Sequence, residues 1–206
     1  VSRLRLRDLG IAVGSMPTGP LNAITDVPGV RVGMVTIIGD EPAVARTGVT
    51  VILPNEHPIG TVQPFAGMHC FNGYGEMIGS AWIEESGLLS SPIALTNTHQ
   101  VGTAHDALIA YAVERQGARG IMLPVAAETF DGYLNDITAP TVTQQTVFDA
   151  IDAARSGPVP EGNAGGGTGM ICHAFKGGTG TSSRVVEACG QRFTVGCLVQ
   201  ANYGQR

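Results

Sequence analysis

Charge is scarce in this chain. Of its 206 residues 14% are charged, the net charge is −5, and Lys176 is the only lysine. So little charge implies extensive burial, or a surface covered by partner subunits. No basic tract exists beyond "RLRLR" at Arg3 to Arg7, which argues against nucleic acid as the main partner. That stretch reads as an alternating edge strand with solvated arginines. No apolar run approaches the ~18 residues a membrane helix needs, so no membrane is expected as partner, and no signal-peptide pattern is visible. The first residue is Val1 rather than methionine, so something upstream is expected to have been removed or left out. The compartment stays open between cytoplasm and periplasm. Cys70, Cys172, Cys189 and Cys197 form no C-x-x-C pair, which speaks against zinc. Four buried free thiols are expected, with disulfides left open by the even count. His57, His69, His99, His105 and His173 show no H-x-x-x-H or H-E-x-x-H spacing. They are read as structural or surface residues, and neither metal nor cofactor is expected.

What is present reads as one α/β domain over residues 1–206. A turn at Pro28-Gly29 leads into a strand in which Val30, Val32, Met34 and Thr36 alternate. "RTGVTVILP", Arg46 to Pro54, is a second strand, and Ile93 to Thr96 a third. Ala104, Leu108, Tyr111 and Ala112 have helical spacing in a segment stopped by Gly117. Ile121 to Ala127 is a continuous apolar run, expected as a buried strand that stops at Glu128. Thr143 is a candidate N-cap for a helix with the stripe Val147, Ala150, Ile151 and Ala154, ending at Gly157. Near the C-terminus Phe193, Val195, Cys197 and Val199 share one face of a strong strand. No internal repeat or low-complexity linker divides the chain.

Between these elements lies "EGNAGGGTGMICHAFKGGTGTSSR", Glu161 to Arg184, with eight of the 29 glycines. A phosphate-binding loop fits poorly: Lys176 precedes its glycines, against the Walker order, and Met170 stands where a dinucleotide loop needs its last glycine. A flexible linker would not carry Met170, Ile171, Phe175 and Lys176. Two readings survive. One is a pair of tight turns around a buried strand "MICHAFK". The other is close approach of backbone to a ligand or another chain, with N–H groups able to face an oxyanion.

Five blocks occur in order: "GPLNAITDVPGVRVG", "PIALTNTHQVG", "PVAAETFDGYLND", the glycine tract with "VV", and "TVGCLVQANYG". Together they resemble the DmpA/BapA family of self-cleaving N-terminal-nucleophile aminopeptidases, over nearly the whole chain. Its members include L-aminopeptidase D-amidase/esterases and β-peptidyl aminopeptidases. The resemblance implies a layered helix–sheet–sheet–helix sandwich, of the type shared with ornithine acetyltransferase and completed by a second chain. It also implies that this sequence is the larger, N-terminal part of a precursor. The second (beta) chain, cut from the same precursor, would carry an N-terminal serine nucleophile whose α-amine acts as general base. A tetramer of heterodimers is the assembly implied, and short peptides or amino-acid amides are the substrates.

Carried over position by position, Asn202 in "VQANYG" matches the asparagine whose amide faces the oxyanion; read from the residues alone it caps a strand end. Glu128 in "AAETF" matches the acid that binds the substrate's free amino group; alone it could be a capping or surface glutamate. Phe130 stands where DmpA-like members carry a tyrosine and BapA-like members an aliphatic residue, so it is assigned to substrate binding without the hydroxyl. Tyr133 could supply one. Lys176 is a candidate catalytic lysine that could assist a nucleophile, or a solvated one. Ser182 and Ser183 lack a companion base and read as loop or cap serines. In this reading the glycine tract packs against the inserted N-terminus of the partner chain, so valine at Gly166 or Gly178 abolishes self-cleavage or activity. The alternatives are a non-catalytic nucleotide- or metabolite-binding module using the glycine loops, and an acyltransferase of similar architecture.

Overall fold

The computed structural model describes residues 4–205. Its main sheet has five strands in the order β1-β2-β4-β5-β3. They are β1 (Arg31–Gly39), β2 (Ala45–Leu53), β3 (Met77–Ile78), β4 (Ile93–Asn97) and β5 (Val125–Thr129). A short helix α1 (Ser80–Ser86) follows β3, and α2 (Val101–Gln116) joins β4 to the parallel β5. The other pairings are antiparallel. A third helix, α3 (Gln144–Asp152), packs beside α2.

Strand alternation explains how both faces of this sheet are covered. Val49, Val51 and Leu53 of β2 point to α2 and α3, joining Ala94, Leu108, Val147 and Ile151 in the main core. Fully burying each such aliphatic side chain stabilises by about 1.5–3 kcal/mol. The intervening residues face the opposite way, and Gly48 and Thr50 among them are small or polar. There the hydroxyls of Thr36 and Thr50 accept hydrogen bonds from the N–H groups of Gly165 and Gly166, at 2.9 and 3.1 Å. Beyond this glycine turn lies a long ribbon, β8 (Gly178–Ala188) paired with β9 (Gln191–Ala201). Helices, sheet and ribbon are three layers of the four expected.

The helices follow the sequence closely. Gly117 ends α2 in the left-handed conformation. Thr143 caps α3, its hydroxyl accepting from Thr146 N–H at 3.2 Å. Yet α3 ends before Gly157, because Arg155 is drawn out to exchange two backbone hydrogen bonds with Val32 of β1. The apolar run from Ile121 becomes strand only at Val125. Its neighbour β4 starts at Ile93, opposite Val125, so residues 121–124 have nothing to pair with, and Ile121 is 92% exposed.

"MICHAFK" is not one buried strand. It is a tight hairpin, β6 (Ile171–Cys172) and β7 (Phe175–Lys176), turned by His173 and Ala174, both at positive φ. Two left-handed residues match the twist of a two-residue hairpin turn, and only Met170 is core. "RLRLR" forms no edge strand among the described residues, and Arg3 lies outside them. Leu6–Leu9 is a 3-10 turn, and Arg5 is not solvated: it pairs with Glu161 and donates to the Thr181 carbonyl at 2.8 Å. The cysteines are free but not buried; Cys70, Cys189 and Cys197 are exposed and Cys172 half-buried. Ser182 and Ser183 are strand residues of β8 rather than loop or cap serines.

The glycine tract makes its close approach inside this chain. A Cβ on Gly166 would lie 2.9 Å from the Leu95 carbonyl of β4 and 2.6 Å from the Gln200 amide of β9. Gly178 has φ +146, and its Cβ would meet the Gly162 carbonyl at 2.5 Å. Glycine therefore lets the turn lie flat between two sheets. Its N–H groups are used there on threonine hydroxyls and carbonyls, which leaves no cradle of donors for a phosphate.

Candidate active site

Three segments converge at one end of the layers: the exit of β5, the β6–β7 hairpin and the residues after β9. Gln200, near the end of β9, turns inward and donates to the Thr129 hydroxyl of β5 at 3.1 Å. This contact brings the two strand ends into register. Two residues on, the Asn202 amide pairs with the Phe130 backbone at both ends. Its Oδ1 accepts from Phe130 N–H at 2.9 Å, and its Nδ2 donates to Phe130 C=O at 2.8 Å. A second, longer Nδ2 bond of 3.3 Å reaches Ile171 C=O on the hairpin. The two-point match fixes which end of the amide is nitrogen.

Around Asn202 lies an open cleft of about 770 Å³. Phe130, Tyr133, Ile171 and Tyr203 are among its lining residues. Phe130 and Tyr133 meet edge to face with centroids 5.6 Å apart. Tyr133 thus brings a hydroxyl to the cleft that Phe130 lines without one. The hairpin holds the far side: His173 N–H donates to Tyr203 C=O at 2.9 Å, and the two rings are T-stacked at 5.0 Å.

Glu128 is half-buried on β5, two residues before Phe130, and is not itself on the cleft wall. Its neighbour Thr129 faces β9, so by alternation Glu128 faces the other way, where Thr98 donates to Oε2 at 2.7 Å. Its backbone N–H donates to Glu76 C=O at 3.0 Å. Beneath the site Asp131 is 1% exposed. Burial raises its carboxyl above the ordinary carboxylate value, and hydrogen bonds from Thr47 and Asn135 offset part of this. Asn97 extends the string, donating to the Thr47 hydroxyl at 3.1 Å and capping the turn that carries Thr98. This buried network, satisfied except at Asp131 Oδ2, ties β2, β4 and the turn after β5 together.

Lys176 is not brought to this cleft. It lines another cavity, with Arg46, Asn163 and Thr168. Its ammonium donates to the carbonyls of Met170 and Gly177 at 3.0 Å and of Gly167 at 3.4 Å. Ser183 donates to Asp26 at 2.6 Å and accepts from Gly19 N–H; among the described residues no histidine or lysine bonds to it. Among the described residues no group of three or more His, Cys, Asp and Glu could hold a metal, and no helix is long and apolar enough to cross a membrane. Thr98, Ile171 and Tyr203 were not singled out by the sequence. Thr98 had one usable signal, its place at the exit of a buried strand.

The chain matches the model of peptidase family S58 over residues 22–206. It is 47% identical, over 98% of its length, to β-peptidyl aminopeptidases BapA from Sphingosinicella microcystinivorans and Sphingosinicella xenopeptidilytica. It covers 52% of each of those proteins. Among solved structures, a β-aminopeptidase of Burkholderia sp. superposes with a TM-score of 0.94 at 53% identity. The L-aminopeptidase D-Ala-esterase/amidase of Ochrobactrum anthropi, described as a prototype for the serine aminopeptidases and a variant of the Ntn hydrolase fold, gives 0.93 at 52%. Both alignments cover 98% of this chain and 58% of the other. The α/β fold is thus that of these hydrolases, this chain spans little more than half of each, and it belongs to peptidase family S58.

Proposed function

We propose that this chain is the larger, first chain of a serine aminopeptidase that frees its own nucleophile by self-cleavage. The observation that carries this reading is the composition of the cleft. Asn202 stands in its wall, while no serine, threonine, cysteine or lysine lines it among the described residues. The attacking hydroxyl then comes from the N-terminal serine of a second chain, with that serine's α-amine as base. In the reaction the serine oxygen adds to the substrate's amide carbon. Asn202 Nδ2 turns its longer bond, that to Ile171, toward the oxyanion and keeps the shorter one to Phe130, so the donor stays aimed. The departing amine takes the proton, and water then hydrolyses the ester. Glu128 receives the substrate's free ammonium, and Phe130 and Tyr133 form the apolar wall beside the acyl group.

Lys176 takes no chemical step in this reading. Three carbonyls hold its ammonium, which makes it a clasp for the glycine tract. Substrates are short peptides or amino-acid amides, with β-amino N-termini favoured by the absence of a hydroxyl at Phe130. A tetramer of two-chain units suits the low charge of the surface. The nucleotide-binding alternative finds no support in the glycine turn, whose N–H groups are consumed internally.

Intact mass and N-terminal sequencing of the purified full-length product test the scheme. The expected result is two polypeptides, the second beginning with serine, and hydrolysis of alanyl and β-alanyl amides. A single uncut polypeptide with full activity overturns it, as does activity in residues 1–206 alone.

A further inference from the structure

The carboxylate of Glu128 has two oxygens in different situations. Oε2 accepts from the Thr98 hydroxyl at 2.7 Å. Among the described residues no hydrogen bond is made to Oε1. That oxygen stands beside Gly75, where an added Cβ would be in ordinary contact with it at 3.8 Å. The backbone on both sides is pinned: Thr96 pairs with Glu128 across β4 and β5, Glu128 N–H is bound to Glu76, and Asn97 fixes the turn carrying Thr98 from two sides. A glutamate has three rotatable bonds, and an unfixed one loses that freedom when it binds. Here one oxygen is already anchored.

We propose that Thr98 is a positioning residue for amine recognition. Its hydroxyl holds Oε2 so that Oε1 alone is presented, under Gly75, to a primary ammonium. The inference rests on the reading of Glu128 as the ammonium receptor. Thr98 itself touches no reacting atom, so it acts on how tightly and selectively the amine is held, not on the chemical step.

The test uses the full, self-cleaved enzyme and two substrates of equal length, a β-alanyl amide and the propionyl amide that lacks the amino group. Thr98→Val keeps the branched shape and removes the donor; Thr98→Ser keeps the donor and loses the methyl group. For the β-alanyl amide, Thr98→Val should raise KM about tenfold with kcat within about twofold, the scale of one hydrogen bond to a charged group. Thr98→Ser should restore KM to within about threefold. Neither variant should change kcat/KM for the propionyl amide, a selectivity that a merely structural role would not produce. Glu128→Gln is run beside them. If it abolishes the preference for the amine while Thr98→Val leaves KM unchanged, Glu128 stands and the role of Thr98 is overturned. Equal loss of both substrates in Thr98→Val and Thr98→Ser likewise overturns it. If Glu128→Gln keeps the preference, the reading of Glu128 falls and this inference with it.

Discussion

A single amide, that of Asn202, is assigned two jobs by the proposed reading, and substitution should separate them. Asn202→Ala removes the proposed oxyanion donor, and a loss of about 10²–10³-fold in kcat is expected. Asn202→Asp retains the acceptor for Phe130 N–H but sets a carboxylate oxygen against Phe130 C=O. It should therefore lower thermal stability as well as kcat, measurable by calorimetry on both variants; if both retain native kcat, Asn202 is only a strand-end bolt. Lys176→Met should do the reverse: lower stability by about 1–3 kcal/mol through the loss of its charged hydrogen bonds to three carbonyls and leave kcat within about twofold. A collapse of kcat at unchanged stability would return Lys176 to the chemistry. Asp131 makes a prediction about pH. Its carboxyl is raised from 3.8, first by burial, so the folded state holds the proton more tightly than the unfolded chain. The stability this contributes is full below about pH 3.8 and is lost as pH rises through the higher folded value. Asp131→Asn cannot lose a proton, so its melting temperature should gain on the native protein's between pH 4 and pH 8. Parallel curves would refute it.

Elements differ in how openly the sequence announces them. The helices α2 and α3 could be read because an apolar stripe and a terminal glycine or threonine cap are local signals. β2 and β4 could be read because their β-branched runs are bounded by turn residues. The start of β5 could not, since whether residues 121–124 pair depends on where β4 begins. The hairpin of β6 and β7 was hidden for another reason: it turns on His173 and Ala174, neither of which advertises positive φ as Asn-Gly would. For the candidate site, Asn202, Glu128 and Phe130 were proposed through resemblance, and the structure adds the amide pair of Asn202 with Phe130 and the bond of the Thr98 hydroxyl to Glu128. The glycine tract was legible as close approach but not as to what it approaches. Gly166 and Gly178 meet backbone of this same chain, so Gly166→Val and Gly178→Val should each fail as folding variants. Overpacking against backbone costs at least the ~1–3 kcal/mol seen for tight cores. Soluble yield and melting temperature should fall together with self-cleavage. A stable Gly166→Val protein that is merely uncleaved would restore the idea that the tract meets a partner chain instead.

The molecule as a whole is unfinished on one side. Along β9, Thr194, Gly196, Leu198 and Gln200 turn inward; a Cβ on Gly196 would stand 2.8 Å from a Val27 methyl. The alternate row, Phe193, Val195, Cys197 and Val199, turns outward, with Val195 57% exposed. Among the described residues β9 pairs with β8 alone, so its other edge is unpaired as well. An eleven-residue strand with an apolar outer row and an open edge is what folded proteins avoid leaving in water. On the proposed two-chain reading, a fourth layer from the second chain would cover that row. Cys197 sits in the middle of it and reports directly on the cover. If the proposed two-chain reading holds, Cys197 should resist alkylation by a small thiol reagent in the native protein, while Cys70, on an exposed loop, reacts. After denaturation both should label fully, and peptide mass mapping distinguishes them. The lysine variant of Val195, made in the precursor, should place a charge under the same cover and reduce self-cleavage at least tenfold. Rapid native labelling of Cys197, with normal cleavage of Val195→Lys, would mean that the second chain lies elsewhere and that β9 faces solvent in the working enzyme.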